Sequence, residues 1–309
     1  MAEFGRILIT GGCGFIGANL VRWLEAHRGW SLRVVDDLRT GSADHVADLA
    51  EVVVGDVADP EALDAALDGV DAVIHLASQT GVLPSVQDPL RDFEGNTRAT
   101  FLALEGCRRR GIDHFVYASS GAALGDVDPP LHEEVVPRPL SPYGAGKLAG
   151  EAYCRGYAGS FGMHTVSLRF ANVYGPFSAH KNNAVPNFIW GCLRREPIEI
   201  FGDGSKTRDF VYVEDLCAGI VAALESEGTS GEVFQLGTGV ETSIGELVDL
   251  VQEATGFRGE VRRSPARRGE VSRSRVDISK ARRELGFDPR VGLSEGLVHT
   301  AGWYREHVL

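Results

Sequence analysis

The chain has 309 residues, 43% of them hydrophobic, and a formal charge of −12. That length and apolar content suffice for one large or two modest domains with a sizeable core. The acidic balance argues against nucleic acid or an anionic membrane as the main partner, so a bound nucleotide must meet locally concentrated positive charge.

In chain order, the first element is a strand within "ILITGGCGFIGANL" (7–20), which runs into Gly11, Gly14 and Gly17 and then an apolar helical pattern. Without a Cβ, Gly11 lets the chain turn sharply at the strand end. Gly14 lets backbone approach a pyrophosphate, and Gly17 lets the helix pack close to the sheet. The helix N-terminus then offers free N–H groups to an anion. The spacing is G-x-x-G-x-x-G rather than G-x-G-x-x-G, and a tight turn with no ligand would use the same glycines.

"SLRVVDDL" (31–38) reads as a strand buried on both faces, ending in Asp36 and Asp37. Asp36 stands 19 residues after Gly17, close to the roughly 20 expected for the acid on an adenosine ribose. A carboxylate there would accept from both ribose hydroxyls and repel a 2′-phosphate, which predicts NAD rather than NADP. A solvated loop carboxylate is the plainer alternative.

Further strands are predicted near residues 52, 73, 115 and 166, with helices at about 86–110 and 142–161 between them. Such alternation means a parallel sheet covered on both faces, with ligands at the carboxyl ends of the strands. From about Pro176 the pattern loosens. "FSAHKNNAVPN" reads as a long loop, and "EPIEIFGDGSKTRDFVYVEDL" as strand, Gly-rich turn, strand and helix. A basic loop, "RRSPARRGEVSRSR", and an amphipathic helix close the chain. The expected architecture is α/β: a Rossmann-type doubly wound parallel sheet over 1–175, with 206–230 returning to it. Residues 176–205 and 231–309 form a smaller C-terminal substrate-binding lobe.

The five cysteines are scattered with no metal spacing and read as reduced core residues. The first strand begins within a few residues of Met1, and no apolar run reaches the ~18 residues of a membrane span. The expectation is a cytoplasmic, soluble, metal-free protein.

"SPYGAGKLAGEAY" sets Tyr143 and Lys147 four apart on one helix face. A neighbouring ammonium and a positive nicotinamide would lower the phenol's pKa and make it a base near neutrality. A Tyr-x-x-x-Lys pair is common by chance, but this one follows a strand ending in Ser119 and Ser120.

With "TGGCGFIG", "HLAS", "YASS", "SPYGAGK", "RFANVYGP", "FGDGSKTRDFVYVEDL" and "RRGEV", the chain resembles the extended short-chain dehydrogenase/reductases, in particular their nucleotide-sugar epimerases. The resemblance implies that Tyr143 takes the sugar 4-OH proton while NAD takes the C4 hydride, that Lys147 bonds the nicotinamide ribose, and that Ser120 holds the 4-oxygen. It implies a cofactor site of Gly11, Gly14, Phe15, Ile16, Gly17, Asp36, Asp56, Val57, Leu76, Ala77 and Asn96, with Tyr143 and Lys147. On the substrate side it implies Ser119, Ser120, Gly121 and Asn172, Ile200 and Phe201 about a uracil, and Arg208 and Arg267 on a diphosphate. It also implies a homodimer through the two long helices.

Two departures bear on activity. Leu124 stands where the family often has Tyr. Gly121 and Ala122 stand where the related 4,6-dehydratases carry Asp and Glu, so no acid is available there for C5 or C6 chemistry. The expected reaction is therefore 4-epimerisation of a UDP-sugar through a 4-keto sugar. The lean is to UDP-glucuronate, whose carboxylate the serines, His180 and Lys181 could receive, with UDP-glucose next. A nucleotide-sugar 4-ketoreductase and a non-catalytic dinucleotide sensor are the alternatives.

Overall fold

The computed structural model describes residues 4–266 and 271–309. The first half alternates strand and helix: β1 (Arg6–Thr10), α1 (Phe15–His27), β2 (Ser31–Asp36), β3 (Glu51–Val54), α2 (Pro60–Ala66), β4 (Ala72–His75), α3 (Val82–Gln87), α4 (Pro89–Phe93), α5 (Ala99–Arg110), β5 (His114–Ser120), α6 (Pro142–Phe161) and β6 (His164–Phe170). Then follow β7 (Asn172–Tyr174), α7 (Ala184–Arg194), β8 (Ile198–Phe201), β9 (Thr207–Arg208), β10 (Phe210–Tyr212), α8 (Val213–Glu225), β11 (Glu232–Leu236), β12 (Thr242–Ser243), α9 (Ile244–Thr255), β13 (Val261–Ser264), α10 (Ser279–Leu285) and α11 (Leu293–His307).

Seven strands form the main sheet in the order β11-β6-β5-β4-β1-β2-β3, and every neighbouring pair is parallel. Residues alternate between its faces. Ile7, Ile9, Val34, Ile74 and Val116 join α1 and α8 in one core. Leu8, Val35, Val73, Phe115 and Tyr117 join α2, α5 and α6 in the other. The strand order reverses between β1 and β4, so a ligand crevice opens at the carboxyl ends of these two strands. The doubly wound sheet expected from the sequence is present.

A separate apolar core, including Phe188, Ile189, Leu247, Val251, Leu297 and Tyr304, joins α7, α9 and α11 with β8. This is the second lobe. Its limits differ from the expected ones. Within 231–309, β11 extends the main sheet beside β6, and Ala281 and Phe287 about α10 pack into the α1/α8 core. Phe234 and Leu236 are fully buried there, so the strand finds its apolar partners in the first domain.

Two further expectations change. The helix expected over 86–110 begins at Val82 and is broken. Asp88 caps α4 by accepting from Arg91 N at 3.0 Å, Pro89 takes the first helical position, and a π-helical turn, Glu94–Arg98, precedes α5. The segment read as a long loop contains the start of α7, because Pro186 lies in the first turn, where a missing N–H costs nothing. The helix at 142–161 has the expected ends. Ser141 caps it by accepting from Gly144 N, Pro142 opens it, and Gly162 closes it in the left-handed region.

Two close approaches position the site. Gly11 has φ +68, and a Cβ on it would lie 2.8 Å from the Ala77 backbone. Gly150 faces Tyr117, where a Cβ would fall 2.3 Å from the ring. No helix among the described residues is long and apolar enough to cross a membrane.

Gly150→Ala is expected to destabilise the fold by about 1–3 kcal/mol through overpacking. Gly156→Ala on the same helix, where a Cβ meets nothing within 4 Å, is expected to add about 0.5–1 kcal/mol. Urea unfolding of both variants checks the pair. Equal effects would mean that α6 does not press on β5 through Gly150.

Candidate active site

The glycine turn delivers α1 with Gly14 as its N-cap, in extended conformation and with no side-chain cap. The first N–H groups of the helix are therefore left for an anion. Phe15 is buried and Ile16 packs against the same core, so these residues offer backbone rather than side chain to a ligand. Asp36 ties the turn to β2: Oδ2 accepts from Cys13 N at 3.0 Å and Oδ1 from Leu38 N at 2.9 Å. Burial pushes its carboxyl above the ordinary range, and those two N–H groups pull it back.

Further along the strand ends, Asp56 accepts from Ala58 N at 2.8 Å and from Arg39 Nη2 at 3.2 Å. Arg39, Asp56, Ala58, Arg91, Glu94 and Gly95 line a pocket of about 400 Å³. Val57 is buried in the α2/α5 core, so its side chain belongs to packing. Leu76 packs against one core and Ala77 against the other, and both abut Gly11 through backbone.

The sequence singles out Asn96, and its role is bracing. It accepts from Ser78 Oγ at 2.7 Å and Gln79 N at 3.0 Å, and donates to Gln79 O at 3.0 Å and Asp92 Oδ1 at 2.8 Å. The π-helical turn, a departure often found at functional sites, thus pins the loop after β4. Two buried groups escape sequence reasoning, Asp92 and His75. His75 finds its partners on distant elements, and Asp92 finds Asn96 one turn away.

The fold brings Tyr143, Lys147 and Ser120 together. Ser120 stands beside the Tyr143 hydroxyl and favours its ionised form, and Ser120 Oγ accepts from Ala122 N at 3.2 Å. Lys147 is buried, donates to Ala118 O at 2.8 Å, and lies 5.8 Å from the Tyr143 ring centroid. The electrostatics differ from expectation. The chain's own groups do not lower the phenol: burial pushes Tyr143 up to about 12, Asp92 adds to this, and only Ser120 opposes it. Burial lowers Lys147 to about 8 against the attraction of Asp92 and Glu151.

Ser119 does not belong with Ser120. Successive strand residues point to opposite faces, and Ser119 is 3% exposed and donates to Glu151 Oε1 at 2.5 Å. Gly121 borders open space, since a Cβ on it would meet nothing within 4 Å. Leu124 is fully buried in the α1/α8 core.

On the lobe side, Asn172 Nδ2 donates to Asp209 O at 3.2 Å, so it is fixed at the junction of the two lobes. Asp209, unremarked in the sequence, is buried and accepts from Thr238 N, Thr238 Oγ1 and Gly239 N at 2.8–2.9 Å. Ile200 is 3% exposed and part of the lobe's core. Its side chain is thus not free to flank a base, whereas Phe201 beside it is half-buried. Arg208 Nη1 donates to Thr207 O at 2.7 Å. Arg267 lies outside the described residues. His180 is exposed, and Lys181 Nζ donates to Thr80 Oγ1 at 3.4 Å, joining the loops after β7 and β4.

The uncapped helix end, the carboxylate at the end of β2 and the buried ammonium on α6 fit NAD: one for a diphosphate, one for a ribose and one for the nicotinamide end.

His75 sits between Thr10 Oγ1 at 2.8 Å and Thr100 Oγ1 at 3.1 Å, and burial lowers it to about 3. Between that value and the unfolded 6.5 the unfolded chain binds the extra proton, so stability falls as pH falls. Acidification from pH 7 to 5 is expected to cost about 2 kcal/mol through this one group. Urea unfolding at both pH values should show His75→Gln losing about that much less. An unchanged difference would place His75 outside the acid response.

The profile of the NAD dependent epimerase/dehydratase family matches residues 7–237. The chain is 38% identical over 307 residues to a putative UDP-glucose 4-epimerase of Methanocaldococcus jannaschii, covering 97% of this chain and 99% of that one. It is similar to the crystal structure of a Thermotoga maritima UDP-glucose 4-epimerase with UDP-glucose, with TM-score 0.94, 36% identity, and 98% and 100% of the two chains covered. It is also similar to a Thermus thermophilus UDP-glucose 4-epimerase in complex with NAD, with TM-score 0.92, 36% identity and the same coverage. With this sheet, this glycine turn and this Ser–Tyr–Lys cluster, the chain belongs to the NAD-dependent epimerase/dehydratase family.

Proposed function

We propose that the protein is a UDP-sugar 4-epimerase that interconverts UDP-glucose and UDP-galactose. The observation that carries this is the floor beneath Tyr143. Ser120 stands beside the hydroxyl, and the next two positions are Gly121 and Ala122. A dehydratase needs acids beside the ring to move protons at C5 and C6, and these residues carry none. Proton transfer at the 4-oxygen is the chemistry left.

Tyr143 removes the 4-OH proton, and Ser120 fixes the oxygen by hydrogen bonding. When bound, NAD supplies the hydride acceptor at C4 and a positive charge that favours the phenolate. Lys147 adds a second positive charge beneath the Tyr143 ring. After the 4-keto sugar turns over, the hydride that NAD would hold goes back to the opposite face of C4 and the proton from Tyr143 to the 4-oxygen, so that C4 is inverted with no net redox change. Asn172, Phe201, Arg208 and Arg267 are the groups we assign to the UDP moiety. Charge-assisted bonds from arginine to a diphosphate contribute about 1.5–3 kcal/mol each.

The named relatives favour a neutral sugar. A second reading, UDP-glucuronate, draws on Lys181, whose ammonium is held at Thr80 and could receive a carboxylate. We also propose a homodimer: Leu83, Val86, Leu90, Phe93, Phe101, Tyr153 and Phe161 are exposed apolar residues on α3 to α6. A surface of this kind is covered in a stable assembly.

Tyr143→Phe is expected to lower kcat about 10²–10⁴-fold while UDP binding by calorimetry stays unchanged. Turnover within twofold of wild type would overturn the mechanism. Assay of each UDP-sugar without added cofactor decides the substrate. A tenfold kcat/KM preference for UDP-glucose supports the leading reading, and the reverse preference selects the uronate.

A further inference from the structure

One buried charge pair is not used by the mechanism. Glu151 follows Lys147 by one turn of α6, and Arg169 crosses to it from β6. Arg169 Nε donates to Oε1 at 2.8 Å and Nη2 to Oε2 at 2.7 Å, with side chains 5% and 3% exposed. Buried pairs of this kind are weak sources of stability, because desolvation offsets their attraction. This one is also incomplete, since Arg169 Nη1 is buried without a hydrogen-bond partner among the described residues. Apolar residues would fill the space at less cost, so a role beyond packing is indicated.

Its surroundings supply one. Lys147, Glu151 and Tyr143 lie on one face of α6. Asp92 faces Lys147 from α4, and His75 from β4. The Tyr117 ring from β5 lies 5.2 Å from Nζ. Burial holds His75 neutral and keeps Tyr117 protonated. The charges that act on the ammonium are therefore Asp92, Glu151 and, behind Glu151, Arg169.

We propose that Glu151 and Arg169 form a positioning pair for Lys147, in which Glu151 faces the buried ammonium from the next turn of α6 and Arg169, through two hydrogen bonds, fixes that carboxylate and offsets part of its charge. The pair is buried behind Lys147, with side chains 5% and 3% exposed. It acts through Lys147 on the charge beneath Tyr143, and it steadies the end of β5 through Ser119. The inference rests on Tyr143 being the base.

The chain has only four lysines, Lys147, Lys181, Lys206 and Lys280, so 13Cε-lysine NMR resolves the Lys147 titration directly, with Lys147→Arg for assignment. In Glu151→Gln the carboxylate is gone and Arg169 is left uncompensated. The Lys147 midpoint is expected to fall by a pH unit or more, and the alkaline limb of kcat to move with it at little change in KM. Adding Arg169→Met removes the uncompensated cation and should restore at least half of the shift. A purely structural pair predicts a double variant no better than the single, and that result would overturn the proposal. So would an unchanged Lys147 midpoint in Glu151→Gln.

If Glu151→Gln does not fold, Arg169→Lys and Arg169→Met replace it. Lysine keeps the charge and is expected to keep the midpoint, methionine is expected to move it by half a unit or more, and equal midpoints would overturn the proposal. The titration is read without turnover. A wild type with no epimerase activity would therefore refute the function while leaving this test intact.

Discussion

The approach of α6 to β5 is the constraint on which the site depends. Gly150 lets Tyr117 lie against the helix, and Gly144 lets the helix start beside the Ala122 carbonyl, where a Cβ would fall 2.3 Å away. At that distance Lys147 Nζ reaches the Ala118 carbonyl, and Tyr143 reaches Ser120. A helix one methyl further out would lose both contacts. The glycines of "PYGAGKLAG" therefore set the geometry of this cluster, although none carries a functional group.

The same closeness sets the electrostatics. A buried ammonium and a half-buried phenol share a wall, and burial pushes each toward its neutral form. Tyr143 goes up and Lys147 comes down. Asp92, held by Asn96 in the π-helical turn, opposes the shift of Lys147 and reinforces that of Tyr143. The irregular helix before α5 thus has a consequence for the site that a regular one would lack, since it places a braced carboxylate opposite the face of α6 that carries Tyr143 and Lys147.

Much of this was legible in the sequence, and the reasons are local. Parallel strands buried on both faces read as unbroken apolar runs, so the inner strands of the first domain stand out, and the edge strand β3, partly exposed, is marked by its Val run. Ser141, Pro142 and Gly162 mark the ends of α6 by capping chemistry alone. The glycine turn and Asp36 follow from spacing. What escaped depends on partners far away in sequence. Asp209 is satisfied by Thr238 and Gly239, and His75 by Thr10 and Thr100. Neither carries a local signal. Strand β11 was misplaced because its short apolar pattern fits either lobe, and only β6 decides between them. The Ser119 assignment could have been avoided: strand alternation already separates it from Ser120.

The cation in this site is one of four lysines in a chain that also has 27 arginines. Many of the arginines are committed to carboxylates through two nitrogens, as Arg28 is to Glu225 and Arg273 to Glu241. Such forks suit fixed structural contacts, and a guanidinium stays charged wherever it is placed. An ammonium is different, because burial moves its proton affinity. At position 147 burial brings it to about 8, within reach of neutral pH, so small changes in nearby charge alter how positive the wall behind Tyr143 is. An arginine in the same place would fix that charge permanently and could not donate a single short bond to Ala118 from so narrow a space. The acidic balance of the whole chain, −12, says nothing of this. On the proposed mechanism, what matters is one tunable positive charge, held where the sheet and α6 meet.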